Sequence, residues 1–138
     1  MPARLMRAPA SWGVVFGGLQ AASPSGFPWL APATVYALGL TLIAAVYIGF
    51  SVADGRRTVI AVETGVASIF IVVAAVAVTG PAWFIVGGLA GHGLKDLWQH
   101  RTGFVASTRW WPLFCAVVDL VAATAIALMI TAHRGFSL

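Results

Sequence analysis

Residues 58–78, TVIAVETGVASIFIVVAAVAV, decide the fold. Glu63 is the one ionisable side chain in this stretch, and the rest is Val, Ala, Ile and Phe relieved by small hydroxyl residues and a glycine. The hydrocarbon core of a bilayer is about 30 Å thick and is crossed by roughly 20 mostly apolar residues in a helix. Asp54-Gly55-Arg56-Arg57 precedes the stretch and Thr79-Gly80-Pro81 closes it, both polar or helix-breaking. Working outward, the same pattern recurs over 31–53, 82–99 and 111–132. The expectation is an all-α integral membrane four-helix bundle over residues 27–138.

The composition agrees. Of 138 residues, 60% are apolar and 9% charged, and the mean hydropathy is +0.94. A soluble domain carries about 25% charged residues, so this chain is far better matched to lipid than to water. No second domain fits beside four spans. The net charge of +4 is spread over single or paired basic residues, without the Lys/Arg runs of a nucleic-acid surface. It suits topology and lipid headgroups instead. A single cysteine, Cys115, rules out an intrachain disulfide. The chain shows no phosphate-binding glycine loop and no nucleophile elbow, and no cofactor is assigned.

Residues 1–26 stand apart. Trp12, Val15, Phe16 and Leu19 fall at i, i+3, i+4 and i+7, the apolar face of an interfacial helix. Arg4, Arg7 and Ala21-Ala22-Ser23-Pro24 also give the outline of a signal peptide, but the apolar run is short and broken by Gly17-Gly18. Arg56, Arg57, Lys95, Arg101 and Arg109 fall at one end of the bundle, and Arg4, Arg7 and Arg134 are assigned to the other. Because positive loops stay cytoplasmic, both termini are expected outside in an inner membrane. In the first span Ala33, Ala37, Thr41, Ala45, Gly49 and Ala53 recur every fourth residue, a ridge that lets helices approach closely, within the bundle or between protomers of a homo-oligomer.

The acids carry the functional expectation. Asp54, Glu63, Asp96 and Asp119 all lie at the ends of spans that meet on the charged side. At about 1.5 Å per residue, Glu63 sits roughly 7 Å and Asp119 roughly 12 Å inside that boundary. His92, Lys95, Asp96 and Gln99 follow i, i+3, i+4, i+7, with Gly91 and Gly93 leaving the imidazole open. Lys95 is expected to neutralise Glu63 or Asp119, and not Asp96, since adjacent helical residues diverge. An ionised group deep in the bilayer costs about 2.5 kcal/mol or more, so these groups should turn inward and pair. A buried acid and base side by side are the material of acid–base chemistry. The candidate catalytic residues are therefore Glu63, His92, Asp96 and Asp119, with Tyr47, Lys95, Trp98, Trp111 and Cys115 lining a site for a lipophilic, isoprenoid-like substrate. The competing expectations are a proton- or cation-coupled carrier and an accessory subunit. His92, Asp96 and His100 have metal-ligand spacing, but no second histidine-rich helix adds to them, so no metal is assigned. Cys115, with no histidine near it in sequence, is expected to be core packing. Trp98, Trp110 and Trp111 on one face and Trp29 and Trp83 on the other suit interfacial belts.

The segment 91–119 reads G-H-G-x-x-D-x-x-x-H-R and then R-W-W-P-x-F-C-x-x-x-D. It resembles small four-helix membrane proteins of bacteria, especially actinobacteria. The resemblance implies that His92, Asp96, His100, Arg101, Trp110, Pro112, Cys115 and Asp119 belong to one pattern, and brings no activity with it.

Overall fold

The computed structural model describes residues 8–133. Among them are five α-helices and no strand: α1 Pro9–Ala22, α2 Pro32–Asp54, α3 Arg57–Thr79, α4 Trp83–Thr102 and α5 Trp111–Ala132, with a 3-10 turn Ser23–Gly26 after α1. Proline begins α1, α2 and α5, where its missing N–H costs nothing. Gly55 and Gly103, at φ of 82° and 62°, end α2 and α4 in the left-handed conformation that glycine adopts without penalty. Three helices, α2, α3 and α5, are long and apolar enough to cross a membrane. The α4 helix has 20 residues but carries the polar stripe.

Each long helix turns one seam inward at spacings of three and four residues. In α2 it is Tyr36, Leu40, Ala44, Tyr47 and Ser51; in α4 it is Ile85, Leu89, His92, Asp96 and Gln99. In α3 it includes Val59, Glu63, Ala67, Ala74 and Ala77, and in α5 Cys115, Asp119, Ala122, Ala123 and Ile126. The half of the bundle away from the charged loops is a mainly apolar core with Leu40, Ala77, Ile85, Leu89 and Ile126 at its centre, and Tyr36 at its edge donates its hydroxyl to the Ala21 carbonyl at 2.6 Å. The outer surface exposes Leu38, Leu42, Ile69, Val72, Leu94 and Leu128.

Helix α1 packs through a face that the apolar spacing does not mark. Its apolar residues Trp12, Val15, Phe16 and Leu19 face outward, and its buried residues are Gly13 and Gly17. A Cβ on Gly13 would lie 2.6 Å from Val117 Cβ and 2.8 Å from the Phe114 carbonyl oxygen; on Gly17, 2.7 Å from Val121 Cβ and 2.9 Å from the Val118 oxygen. Gly13-x-x-x-Gly17 is thus a small-residue seam that seats α1 on α5. The matched pairs ascend together, so α1 runs parallel to α5 and starts beside α5's first turns. The described chain therefore enters at the charged-loop end, which corrects the expectation of an N-terminal side opposite the loops. Arg4, Arg7 and Arg134, used for that assignment, lie outside the described residues.

The α2 ridge packs within the chain over its first half. Ala33 and Ala37 are buried, Thr41 and Ala45 half-buried, and Gly49 and Ala53 exposed; nothing lies within 4 Å of a Cβ built on Gly49. A strict four-residue repeat advances roughly 40° per step around a 3.6-residue helix, so the ridge winds from the interior to the outside. Gly17→Leu should therefore destabilise the protein in detergent by about 1–3 kcal/mol through overpacking, whereas Gly49→Leu should stay within about 0.5 kcal/mol. Thermal unfolding of the two variants side by side checks this; a Gly17→Leu variant as stable as wild type would show that α1 is not seated on α5.

Candidate functional site

The connecting turns are clasped together at the charged end. The Asp54 carboxylate accepts from Arg56 Nε at 2.7 Å, from Arg56 Nη2 at 2.8 Å and from the Ala106 backbone N–H at 2.7 Å. Arg56 also donates to the Phe104 carbonyl at 2.7 Å, and Ser107 Oγ donates to the Phe50 carbonyl at 2.6 Å. Asp54 therefore holds the loop between α4 and α5 over the bundle end and is separate from the other three acids.

Those three meet below the clasp. Glu63, His92, Asp96, Gln99, Asp119, Tyr47 and Cys115 are each at most 1% exposed. His92 Nδ1 lies 2.7 Å from Asp119 Oδ2 and 3.3 Å from Asp96 Oδ2. Lys95 Nζ lies 3.0 Å from Glu63 Oε2 and 3.5 Å from Asp96 Oδ1, and 3.3 Å from the centroid of the Tyr47 ring. Gln99 Nε2 donates to Glu63 Oε1 in a short hydrogen bond. Cys115 Sγ is 4.0 Å from Asp119 Oδ2. Helices α2, α3, α4 and α5 each contribute at least one of these groups. Close approach of α4 to α5 makes this possible: a Cβ on Gly93 would meet Leu120 Cγ at 3.0 Å and the Ala116 oxygen at 3.2 Å.

Several expectations change in detail. The His92 ring is not left open by its flanking glycines; Phe70 and Tyr47 cover it edge-on, with centroids 4.9 Å and 5.7 Å away. Lys95 does reach Asp96, because its long side chain folds back across Tyr47 instead of leaving the helix radially. Trp98 is exposed and packs on Phe104, away from the cluster. Trp111 is half-buried against Phe50 and Phe114. His100 is exposed. Cys115, read as core packing, stands with His92, Asp96 and Asp119 in a group whose ligating atoms all lie within 4.8 Å of one another. Its neighbourhood depends on the rotation of α5 against α4, which no local spacing reports.

Two openings flank the cluster. An apolar groove of 180 Å³ between α1, α2 and α5 is lined by Phe16, Leu42, Val46, Phe114, Cys115 and Val118. Gln20, a polar residue of α1 that sequence reasoning passed over, lies on its wall with Nε2 buried and unpartnered. On the other side a cavity of 380 Å³ is lined by Gln99, His100, Arg101, Thr108, Arg109 and Pro112, a basic mouth at the loop end. An apolar molecule entering by the groove would bring its end to Cys115, one helical turn from Asp119. Comparison with known protein families, with curated proteins and with solved structures finds no match to this chain.

Proposed function

We propose that this chain is a multi-pass protein of a bacterial inner membrane, with α2 to α5 as its four spans, α1 as a shorter helix beside them, and the charged loops in the cytoplasm. Its buried cluster is an acid–base site for a lipophilic, isoprenoid-like molecule taken from the adjoining leaflet. One observation carries the reading: an imidazole held between two carboxylates, fully buried, next to an apolar groove that opens on the outer surface. An inert bundle has no use for such a group, since every buried charge subtracts from stability unless it is paired.

In this reading Glu63 and Asp119 are the acid and base and His92 relays the proton between carboxylates, while Lys95 holds Glu63 in place. Isomerisation, cyclisation and epoxide opening of an isoprenoid are reactions of this kind, needing a proton delivered and another removed in a dry site. A coupled carrier is disfavoured because the carboxylates and the histidine stop halfway: beyond His92 the core is Leu40, Ile85, Leu89 and Ile126, and polar side chains on that side such as Tyr36 and Gln20 are a phenol and an amide. The groove is small against typical ligand pockets of about 300–1,000 Å³ and suits one branched end of a chain whose remainder lies in lipid. Val46→Trp should fill it. Binding of a diazirine-bearing isoprenoid alcohol to the purified protein is expected to fall at least about tenfold, a loss of about 1.4 kcal/mol, with the unfolding midpoint unchanged. Undiminished binding would sever the groove from the site.

A further inference from the structure

We propose that His92, Asp96, Cys115 and Asp119 form a binding site for one divalent transition-metal ion of the zinc type. This goes beyond the lipophilic-substrate reading and does not depend on it. The four residues are two i, i+4 pairs, His92/Asp96 on α4 and Cys115/Asp119 on α5. The two helices run antiparallel in contact, with Gly93 against α5, so both pairs project into one space. Facing i, i+3 or i, i+4 pairs on neighbouring helices are how helical bundles build metal centres.

The distances fit. Metal bonds of about 2.0–2.3 Å in a tetrahedron place ligand atoms roughly 3.2–3.8 Å apart. Here Nδ1 of His92 is 2.7 Å from Asp119 Oδ2 and 3.3 Å from Asp96 Oδ2, Cys115 Sγ is 4.0 Å from Asp119 Oδ2, and all four ligand atoms lie within 4.8 Å. Small side-chain adjustments around these values close the site.

The hydrogen-bond inventory calls for a cation independently. Oδ1 of Asp119 is buried without a hydrogen-bond partner among the described residues, and the two oxygens of Asp96 have the longer contacts to His92 at 3.3 Å and Lys95 at 3.5 Å. A single ring nitrogen carries at most one proton and cannot serve both carboxylates. With every carboxylate ionised, Glu63, Asp96 and Asp119 carry three negative charges against the Lys95 ammonium and at most one imidazolium at His92, so one positive charge is wanting, or two with His92 neutral; a thiolate on the metal adds one more. A divalent ion accepts lone pairs from several groups at once and supplies the missing charge. The thiol proton leaves on binding. The donor set selects the ion class: one thiolate, one imidazole and two carboxylate oxygens suit a borderline four-coordinate metal such as Zn²⁺ or Co²⁺. Ca²⁺ and Mg²⁺ need about six or more oxygen ligands or waters. With the ion bound, His92 and Asp119 are ligands, so proton transfer falls to Glu63 and the Tyr47 hydroxyl, outside the four; the His92 relay with Asp119 as acid or base belongs to the metal-free site.

The test uses Co²⁺ as the probe on the full chain in detergent after chelator treatment. The expected result is one equivalent bound, intense visible bands of four-coordinate cobalt, a near-ultraviolet thiolate-to-cobalt band, and loss of all of them on adding Zn²⁺. Cys115→Ser, nearly isosteric, should remove the thiolate band. His92→Gln should weaken Co²⁺ binding at least about tenfold, the least that even loss of an outer-shell partner costs. Substoichiometric binding to wild type, a six-coordinate spectrum, or a spectrum unaltered by Cys115→Ser would each overturn the proposal. The groove variant Val46→Trp separates the two readings. It should bind Co²⁺ as wild type does while losing the isoprenoid probe; a wild type that binds the probe but no Co²⁺ would remove the metal site and leave the lipophilic site standing.

Discussion

Lys95→Met is expected to destabilise the protein by about 3–5 kcal/mol, the cost of stranding one member of a buried ion pair. Lys95 Nζ is the cation nearest to Glu63 Oε2, at 3.0 Å, and also lies 3.5 Å from Asp96 Oδ1. Its ammonium sits against the face of Tyr47 at 3.3 Å from the centroid, where the ring quadrupole adds to its attraction. Methionine fills nearly the same volume without charge, so packing is conserved and the loss isolates electrostatics. With Lys95 gone, Glu63 keeps only Gln99 as a donor, and Asp96 loses its nearest ammonium. The rescue is as informative as the loss: Lys95→Met combined with Glu63→Leu removes both ends of the pair and should recover most of the stability, since a buried pair replaced by apolar residues is often neutral or better. Unfolding in detergent of the single and double variants measures both. A single variant as stable as wild type would mean that Glu63 needs no counter-charge.

Much of this was legible in the chain. The apolar stretches marked the helices because lipid demands about 20 apolar residues per crossing, and polar turns separated them. That Glu63, His92, Asp96 and Asp119 share one end followed from connectivity: alternate helices reverse direction, so the end of α4 and the starts of α3 and α5 lie together. The pairings did not follow, because they depend on how each helix is rotated about its axis. Periodicity places Lys95 on a face but not the path of its flexible side chain, which bends to Asp96 across Tyr47. Rotation also decides that Trp98 points outward while Cys115 points at His92. In α1 the apolar spacing marked the outward face, and the packed face is the one with no side chains, Gly13 and Gly17, as small-residue packing between helices allows. The small-residue rule that explains α1 gives no contact within the chain at Gly49, where the repeat winds away from the bundle.

Asp119→Asn is expected to separate a site from a structural network. Asp119 is fully buried, accepts from His92 at 2.7 Å and stands one turn from Cys115, which lines the groove. Asparagine keeps the shape and one acceptor oxygen but removes the charge that binds the imidazole. A hydrogen bond to a charged group contributes about 1.5–3 kcal/mol, so the fold should survive with a loss of that order. A ligand held by the same charge should lose about 10- to 100-fold in affinity. The direct measurement titrates the diazirine-bearing isoprenoid alcohol into wild type and Asp119→Asn in one detergent, with the unfolding midpoint of each recorded alongside. The expected result is one probe bound per wild-type chain and at least about tenfold weaker binding to a folded variant. Equal binding by the two proteins, or no saturable binding by wild type, would contradict a lipophilic site at the cluster and reduce it to a polar network.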